Sequence, residues 1–396
     1  MTRFFYFLFL WILLCFLCYA TGGFKGVDMQ KSNERIAFLD YLRLIACFMV
    51  MVIHAVEPYY IDFSNGDLSI ATRADAIWVC VFEGLARSCV PLFVMASCYL
   101  LFPLKVETGR FLRRRASRIL IPFVVWSLFY VWHCDGNIKE MLFNFPMAAG
   151  HLWFVPMLFG LYLAMPLLSP WAERASKGEI KMWIGVWLFT ALFPCLRRLS
   201  LAVAGDPSFG SVAYLWGECP WNEFGAFQYV SGFFGYMLIA LYFRKFVPEL
   251  SWRKTLAVAL PLFATGFAIM AGGFYFRLPD GGFPVRAPYA AVVDIEMSIE
   301  YCSIGVTAAV VGLFLIVRKF TADGAFYRFM IVPMSEASYG TYLIHMIFLA
   351  PISEVLKVFM PMPVAVFAVA AIVFVSSSTA SFVVRKIPFI GKYLMG

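Results

Sequence analysis

The feature that most constrains this chain is a series of apolar runs, each about 20 residues long, that recur along the sequence. An α-helix of that length crosses a bilayer with its backbone polar groups satisfied internally. Because 62% of the residues are apolar and only 14% are charged, the chain is too apolar for a soluble globule. The sequence predicts an all-α, polytopic integral membrane protein with about ten transmembrane helices. The predicted spans lie near residues 38–57, 77–102, 119–134, 151–169, 182–196, 224–243, 255–276, 299–317, 336–353 and 363–384.

An additional hydrophobic segment, Phe4 to Ala20, precedes these spans behind a single basic residue, Arg3. Three interpretations are open: a signal-peptide core, a short extra span, or a true start at Met29. The start at Met29 is the favoured interpretation. The predicted organisation is an N-terminal hydrophobic segment over residues 1–30 and one transmembrane domain over residues 31–396.

Along the predicted bundle, loops rich in lysine and arginine alternate with loops that contain few of them. Those on one side outnumber those on the other by roughly three to one, and basic loops stay in the cytoplasm. The richer side contains both ends of the ten-helix core. We therefore expect both ends of that core to be cytoplasmic.

Two other features of the composition say little about function. The net charge of +8 does not indicate nucleic acid, because in a membrane protein it reflects orientation. Most of the ten cysteines fall inside apolar runs, where cysteine behaves as a small hydrophobic residue. Cys195 and Cys219 share a predicted external loop and are candidates for a disulfide. No metal site is predicted.

Three of the ionisable side chains in the first span are candidates for function, because such groups are costly in a bilayer. Asp40 and Arg43 lie near its cytoplasmic end, where an interfacial ion pair and a functional role are about equally supported. His54 lies eleven residues after Arg43, on the same helix face and about 16 Å further along the axis. A buried structural histidine is one interpretation of His54, but a near-neutral pKa suits proton transfer.

Other intramembrane polar residues are weaker candidates. Glu83 and Arg87 are spaced i, i+4, so mutual neutralisation on one helix face is the favoured interpretation. His345 is a second intramembrane histidine. His133 and His151 fall at the external ends of spans, where histidine costs little, and receive less weight.

A cytoplasmic run, GRFLRRRASR, contains five arginines. Membrane anchoring explains part of this run. Arg115 and Arg118, with Arg114 beside them, also suit bidentate binding of phosphate. The sequence contains no Walker loop, no dinucleotide-type GxGxxG and no HExxH, which argues against an ATPase, a dinucleotide oxidoreductase or a zincin.

Taken in order along the chain, these pieces resemble the membrane-bound acyltransferase 3 family, which O-acylates bacterial surface glycans. The resemblance covers essentially the whole ten-span core. Its elements are Arg43 and His54 in an R-X10-H pattern, Val90-Pro91-Leu92-Phe93, Arg115-x-x-Arg118, His151-Leu152-Trp153-Phe154, and Ser338-Tyr339-Gly340-Thr341 leading to His345. The chain departs from the family at Ser97-Cys98, where Ser-Gly is usual, and no SGNH-type esterase domain follows.

The resemblance implies an O-acyltransferase of the bacterial inner membrane that uses acyl-CoA, most often acetyl-CoA, as its donor. The donor phosphates would bind Arg115 and Arg118, with Arg114 nearby and Arg43 assisting. His54 would act as general base or carry the acyl group, with Asp40, Arg43 and His345 in the catalytic neighbourhood. The acceptor would be a sugar hydroxyl on an exported or lipid-linked glycan.

Two other functions remain open. Secondary transporters also combine about ten spans with buried charges, although the two halves show no obvious repeat. A non-catalytic partner of a surface-polysaccharide assembly system is the second alternative, and it would tolerate the loss of His54.

Overall fold

The structure is a computed structural model that describes residues 35–133, 137–139, 143, 150–192, 203, 230–321 and 324–396. The hydrophobic segment 4–20, the boundary between residues 30 and 31, and the Cys195–Cys219 pair lie outside the described residues.

The first half of the chain begins with a long helix, α1, and continues as a series of apolar helices. A short 3-10 turn, Glu57–Tyr59, follows α1, and a π-helical turn, Ala116–Leu120, joins α4 to α5 without a break. The elements are α1 Ala37–Val56, β1 Leu68–Ile70, α2 Arg73–Ala86, α3 Cys89–Leu101, α4 Thr108–Arg115, α5 Ile121–His133, α6 Phe154–Arg174 and α7 Lys177–Ala191.

The second half contains the three longest of the described helices and one bent pair. A π-helical turn, Tyr327–Ile331, leads directly into α12. The elements are α8 Phe234–Phe246, α9 Trp252–Phe276, β2 Val285–Ala287, α10 Tyr289–Glu296, α11 Ile304–Val317, α12 Val332–Phe359, α13 Met362–Arg385 and α14 Gly391–Met395.

Seven helical segments in the described part of the chain are long and apolar enough to cross a membrane, or eight if the bent pair α10–α11 is one span. The all-helical membrane architecture is therefore confirmed, whereas the count of ten is not. Each predicted span contains a helix, but α7 has 15 residues and α8 has 13. Both flank the stretch 193–229, most of which lies outside the described residues.

The break in the second span was not expected. The sequence predicts one helix over residues 77–102, but the chain forms α2 and α3, with Arg87 and Ser88 between them. The guanidinium of Arg87 donates to the carbonyl of Ile299 at 3.0 Å, so the break places a charged side chain against another element.

Helix α1 is the centre of the bundle, packed against α2, α3, α12 and α13. Leu42, Ala46, Cys47 and Met51 on this helix are fully buried. Its position means that side chains at its two ends are surrounded by neighbouring helices, unlike those on a peripheral span.

Helices α9 and α11 approach each other closely through small residues. A Cβ added at Gly266 would collide with the carbonyl oxygen of Gly305 on α11. In lipid, helices associate through such close packing, because the surrounding acyl chains are as apolar as the side chains.

A two-stranded antiparallel sheet covers the end of the bundle at which α1 stops. It pairs Leu68 with Ala287 and Ile70 with Val285. The sheet ties the loop after α1 to the segment before α10, and hydropathy gave no indication of it. It brings two sequence-distant loops together just beyond the end of α1, where the N–H of Ser69 donates to the carbonyl of Tyr60 at 2.9 Å.

The charge bias predicts that the loop before α4 faces the cytoplasm. We expect a cysteine placed at the exposed position Lys105 to resist an impermeant maleimide applied to intact cells. Ser64→Cys, in the exposed loop after α1, should be labelled under the same conditions. Labelling of the Lys105 variant from outside would invert the assigned topology and, with it, the side from which a donor enters.

Candidate active site

His54 lies in the last turn of α1, and its imidazole is hydrogen-bonded to a carboxylate. The backbone N–H of Glu57 closes the helix by donating to the carbonyl of Ile53. Pro58 follows and has no N–H to extend the helix. Nδ1 of His54 lies 2.8 Å from Oε2 of Glu57, and the two side chains are only 17% and 19% exposed.

Two more histidines lie close to His54. The ring of His345, on α12, has its centroid 5.2 Å from that of His54, and the ring of His151 has its centroid 5.3 Å from that of His345. We call His54, His151 and His345 the histidine cluster. The sequence predicted His54 and His345 as site residues but gave His151 little weight, because it falls at the end of a span.

The protonation pattern of His345 follows from its hydrogen bond. Its Nδ1 lies 2.5 Å from the carbonyl oxygen of Tyr342, which accepts only, so in the neutral ring Nδ1 carries the proton. Nε2 is then an acceptor, and it is buried with no hydrogen-bond partner among the residues described. A buried polar atom left unpaired is costly and calls for a functional explanation.

Aromatic residues fix the position of His151. The ring of Tyr130 contacts the imidazole edge-on at 4.7 Å, and its hydroxyl donates to the carbonyl of Leu343 at 2.8 Å. The hydroxyl of Tyr342 donates to the carbonyl of His151. Nε2 of His151 is also buried, and the described part of the chain offers it no partner. Within the described ranges, the cluster therefore holds two imidazole nitrogens that lack a hydrogen-bond partner.

A charged network lies beside the histidine cluster. Glu83 and Arg87 form the predicted ion pair at 3.3 Å, which is confirmed. The hydroxyl of Tyr60 lies 3.1 Å from Glu83 and 2.8 Å from Glu296. Burial, together with these carboxylates, raises the pKa of Tyr60 well above its ordinary value, so its hydroxyl stays protonated and donates. The sequence did not indicate Tyr60 or Glu296, since their distance along the chain hides the contact.

Asp40 lies at the opposite end of α1, about 21 Å along the axis from His54. It is 2% exposed and accepts hydrogen bonds from Tyr327 at 2.6 Å and Ser335 at 2.7 Å. Arg35 binds it with two nitrogens, at 2.6 and 3.0 Å, so Asp40 ties α1 to α12. Arg43, expected to pair with it, lies at 3.6 Å.

We expect Asp40→Asn to destabilise the protein rather than to stop chemistry in the folded fraction. The amide cannot accept from all of the present donors, and breaking a buried ion pair costs roughly 3–5 kcal/mol. Glu336→Gln, at a side chain 52% exposed, should cost under about 1 kcal/mol. Denaturant unfolding in mixed micelles checks both variants. An Asp40→Asn protein of normal stability and no activity would favour the predicted catalytic role instead.

A group of cations surrounds Tyr162 near the same end of the bundle. The guanidinium of Arg115 lies 5.6 Å from the ring centroids of both Tyr162 and Phe111. Arg43 interacts electrostatically with Tyr162 and with Arg115, although it belongs to a different helix. We call Arg43, Arg115 and Tyr162 the cationic chamber. Its members come from α1, α4 and α6, so the fold, rather than the RxxR spacing alone, assembles it.

The three arginines predicted to bind phosphate do not have equivalent surroundings. Arg115 is partly buried, and its Nε is a buried donor without a hydrogen-bond partner in the described ranges. Arg114 and Arg118 are exposed, and both are close enough to Arg115 to interact with it electrostatically. Positive charges grouped around a buried donor are suited to binding an anionic ligand. In the described residues, no three His, Cys, Asp or Glu side chains are arranged to bind a metal ion.

The comparisons with known proteins identify the family and nothing more specific. No curated protein and no solved structure matches the chain. A family model, described as an acyltransferase domain, matches residues 36–381. This match begins just before α1 and ends within α13. This range contains the histidine cluster and the cationic chamber. The chain therefore belongs to the acyltransferase 3 family, and it is a membrane acyltransferase.

Proposed function

We propose that the protein moves an acyl group, acetyl by preference, from cytoplasmic acyl-CoA to a hydroxyl of an exported or lipid-linked glycan. The observation that carries this proposal is the arrangement along α1. The cationic chamber surrounds its first turns, and the histidine cluster surrounds its last turn, about 16 Å away along the axis. One buried helix thus separates a group of cations from a base. A donor whose phosphates and thioester lie at opposite ends of a long arm requires such a separation.

The cationic chamber is the proposed donor-binding site. Charge-assisted hydrogen bonds from guanidinium groups suit phosphate oxygens, and the Nε of Arg115 has no other partner among the residues described. Arg114 and Arg118, which are exposed, would meet the parts of the donor that stay in water. With this end of the bundle in the bacterial cytoplasm, as the charge bias favours, acyl-CoA enters from its own compartment.

The pantetheine arm of the donor then carries the thioester from the chamber towards the histidine cluster. His54 removes the proton from the acceptor hydroxyl as that oxygen attacks the thioester carbonyl. The carbon–sulfur bond breaks, CoA leaves as a thiolate, and the proton on His54 restores the thiol. In the other possible sequence, His54 carries the acyl group between two such steps. Nε2 of His345, which no described residue pairs with, is an acceptor for a hydroxyl or an amide N–H in this region.

The location of the histidine cluster supports an acceptor that approaches from the external face. The histidine cluster lies at the end of α1 that the sheet β1–β2 covers, away from the arginines. With the arginines cytoplasmic, a hydroxyl reaching His54 comes from the external face of the inner membrane, where exported and lipid-linked glycans are found. Membrane lipid surrounds the protein, and no nucleic acid takes part.

The experiment follows labelled acetyl groups in membranes that contain the protein and its native glycans. We expect alkali-labile label to appear on glycan, with one free CoA thiol released for each ester formed. Label that remains in intact acetyl-CoA and crosses the membrane would indicate a transporter. Membranes without the protein provide the background.

A further inference from the structure

Glu57 is held by its backbone at the end of α1, which puts its side chain within reach of His54 on the same helical face. Its N–H donates to Ile53, and its carbonyl accepts from Tyr60 at 3.1 Å and Ile61 at 2.8 Å. The ring of Pro58 also fixes the backbone φ angle at the position that follows Glu57. The carboxylate therefore meets the ring of His54 because of how the helix ends, and the pair is three residues apart on one face.

The contact determines which nitrogen of His54 is available. An ionised carboxylate accepts hydrogen bonds and donates none, so Nδ1 of His54 must carry its proton towards Glu57. In the neutral ring the lone pair then lies on Nε2, which is the atom left for an acceptor hydroxyl or an acyl group. A carboxylate at 2.8 Å also stabilises the imidazolium that forms when His54 takes a proton, more strongly in a water-poor site than in solution.

The neighbouring charges are engaged elsewhere. Glu83 pairs with Arg87 and Tyr60, and Glu296 lies within hydrogen-bond distance of Tyr60. His345 contacts His54 through the ring and directs its own Nδ1 to a carbonyl. Among the residues that the structure describes, only Glu57 has a side chain that hydrogen-bonds to the His54 ring.

We infer that Glu57 is a positioning residue for His54: it fixes the tautomer and orientation of the ring and stabilises its protonated form. This inference rests on the proposed function, since it assigns a role to Glu57 in the same reaction. Glu57 acts through His54 and forms no bond with the transferred group.

The test compares the wild type with Glu57→Gln, Glu57→Ala and a matched control, Asp62→Asn. Asp62 is an exposed carboxylate in the next turn of the same loop, where it accepts from Ser64. We expect both Glu57 variants to lose about 100-fold or more in kcat, the range typical of proton-transfer defects, with KM for acetyl-CoA unchanged. Formate should restore part of the kcat of Glu57→Ala, because it supplies a carboxylate to the vacated space. Asp62→Asn should match the wild type.

The inference is overturned if both Glu57 variants keep the wild-type kcat, or if only KM for the acceptor rises, which would make Glu57 an acceptor-binding residue. A loss that formate does not reverse, accompanied by weaker donor binding, would indicate a merely structural role and would also overturn it. A wild type that transfers nothing from any acyl-CoA would remove the proposed function and this inference together. An active wild type with unaffected Glu57 variants would remove this inference alone.

Discussion

Replacing His54 by alanine is expected to abolish acyl transfer while the protein remains folded in the membrane. The variant removes the group that takes the proton of the acceptor hydroxyl, and the loss of a general base typically lowers the rate by about 100- to 10,000-fold. His54 contacts Glu57 and His345, and neither neighbour is placed to substitute for it without moving. The measurement is the rate of label transfer from acetyl-CoA to glycan, normalised to the amount of protein in the membrane.

His133→Ala is the matched control for this variant. His133 also lies at the end of a helix, but its side chain is exposed and stacks on Phe129 rather than on another histidine. We expect this control to retain full activity. His54→Gln, which preserves the size of the side chain, should be as inactive as His54→Ala. Normal acylation in both His54 variants would contradict the mechanism and favour a non-catalytic partner of a glycan assembly system.

Replacing Arg115 by glutamine is expected to weaken donor binding by about 10- to 100-fold, since a hydrogen bond to a charged group contributes roughly 1.5–3 kcal/mol. The buried Nε of Arg115 has no partner in the described part of the chain, so a bound phosphate would satisfy it. The effect should appear in KM for acetyl-CoA, with kcat at saturation largely retained. Arg115→Lys should recover only part of the affinity, because an ammonium group does not reproduce the planar guanidinium.

Arg113→Gln is the control for the Arg115 variant, because Arg113 is exposed on the same helix. A truncated donor sharpens the comparison. S-acetyl-pantetheine carries the thioester and the arm but no phosphate, so the wild type and Arg115→Gln should use it equally poorly. A penalty of equal size on acetyl-CoA and on the truncated donor would contradict phosphate binding by Arg115.

The arrangement along α1 is the part of the site that the sequence predicts best. The spacing of Arg43 and His54 within one apolar run places them on one face of a helix, about three turns apart, and helical periodicity is the most dependable local signal. The resemblance to the acyltransferase 3 family depended on motifs spread along the chain, and the family match over residues 36–381 confirms it.

The contacts between distant segments did not follow from the sequence. His151 reaches His345 only because α6 begins beside α12, and Tyr60 reaches Glu296 across two loops that the sheet β1–β2 brings together. No local pattern encodes such contacts, because packing between helices determines them. Glu57 was within reach of sequence reasoning, since a carboxylate three residues after a histidine lies on the same helical face.

Charge patterning predicted which arginines form a basic surface but not which of them faces inward. Arg115 and Arg118 have a spacing that puts both on one face of an α-helix. In the structure a π-helical turn starts at Ala116, and Arg115 packs on aromatic rings while Arg118 stays exposed. The aromatic partners Phe111 and Tyr162 distinguish the two arginines, and Tyr162 comes from another helix.

The central claim is that acyl-CoA on the arginine-rich side supplies an acyl group to a hydroxyl on the side of the histidine cluster. Sealed membrane vesicles of the two orientations test it most directly, because acetyl-CoA does not cross a lipid bilayer unaided. With labelled acetyl-CoA added outside, inverted vesicles should form labelled ester on the enclosed glycan, and right-side-out vesicles should do so only after permeabilisation. Ester formation in intact right-side-out vesicles, or intact acetyl-CoA accumulating inside inverted ones, would contradict the account.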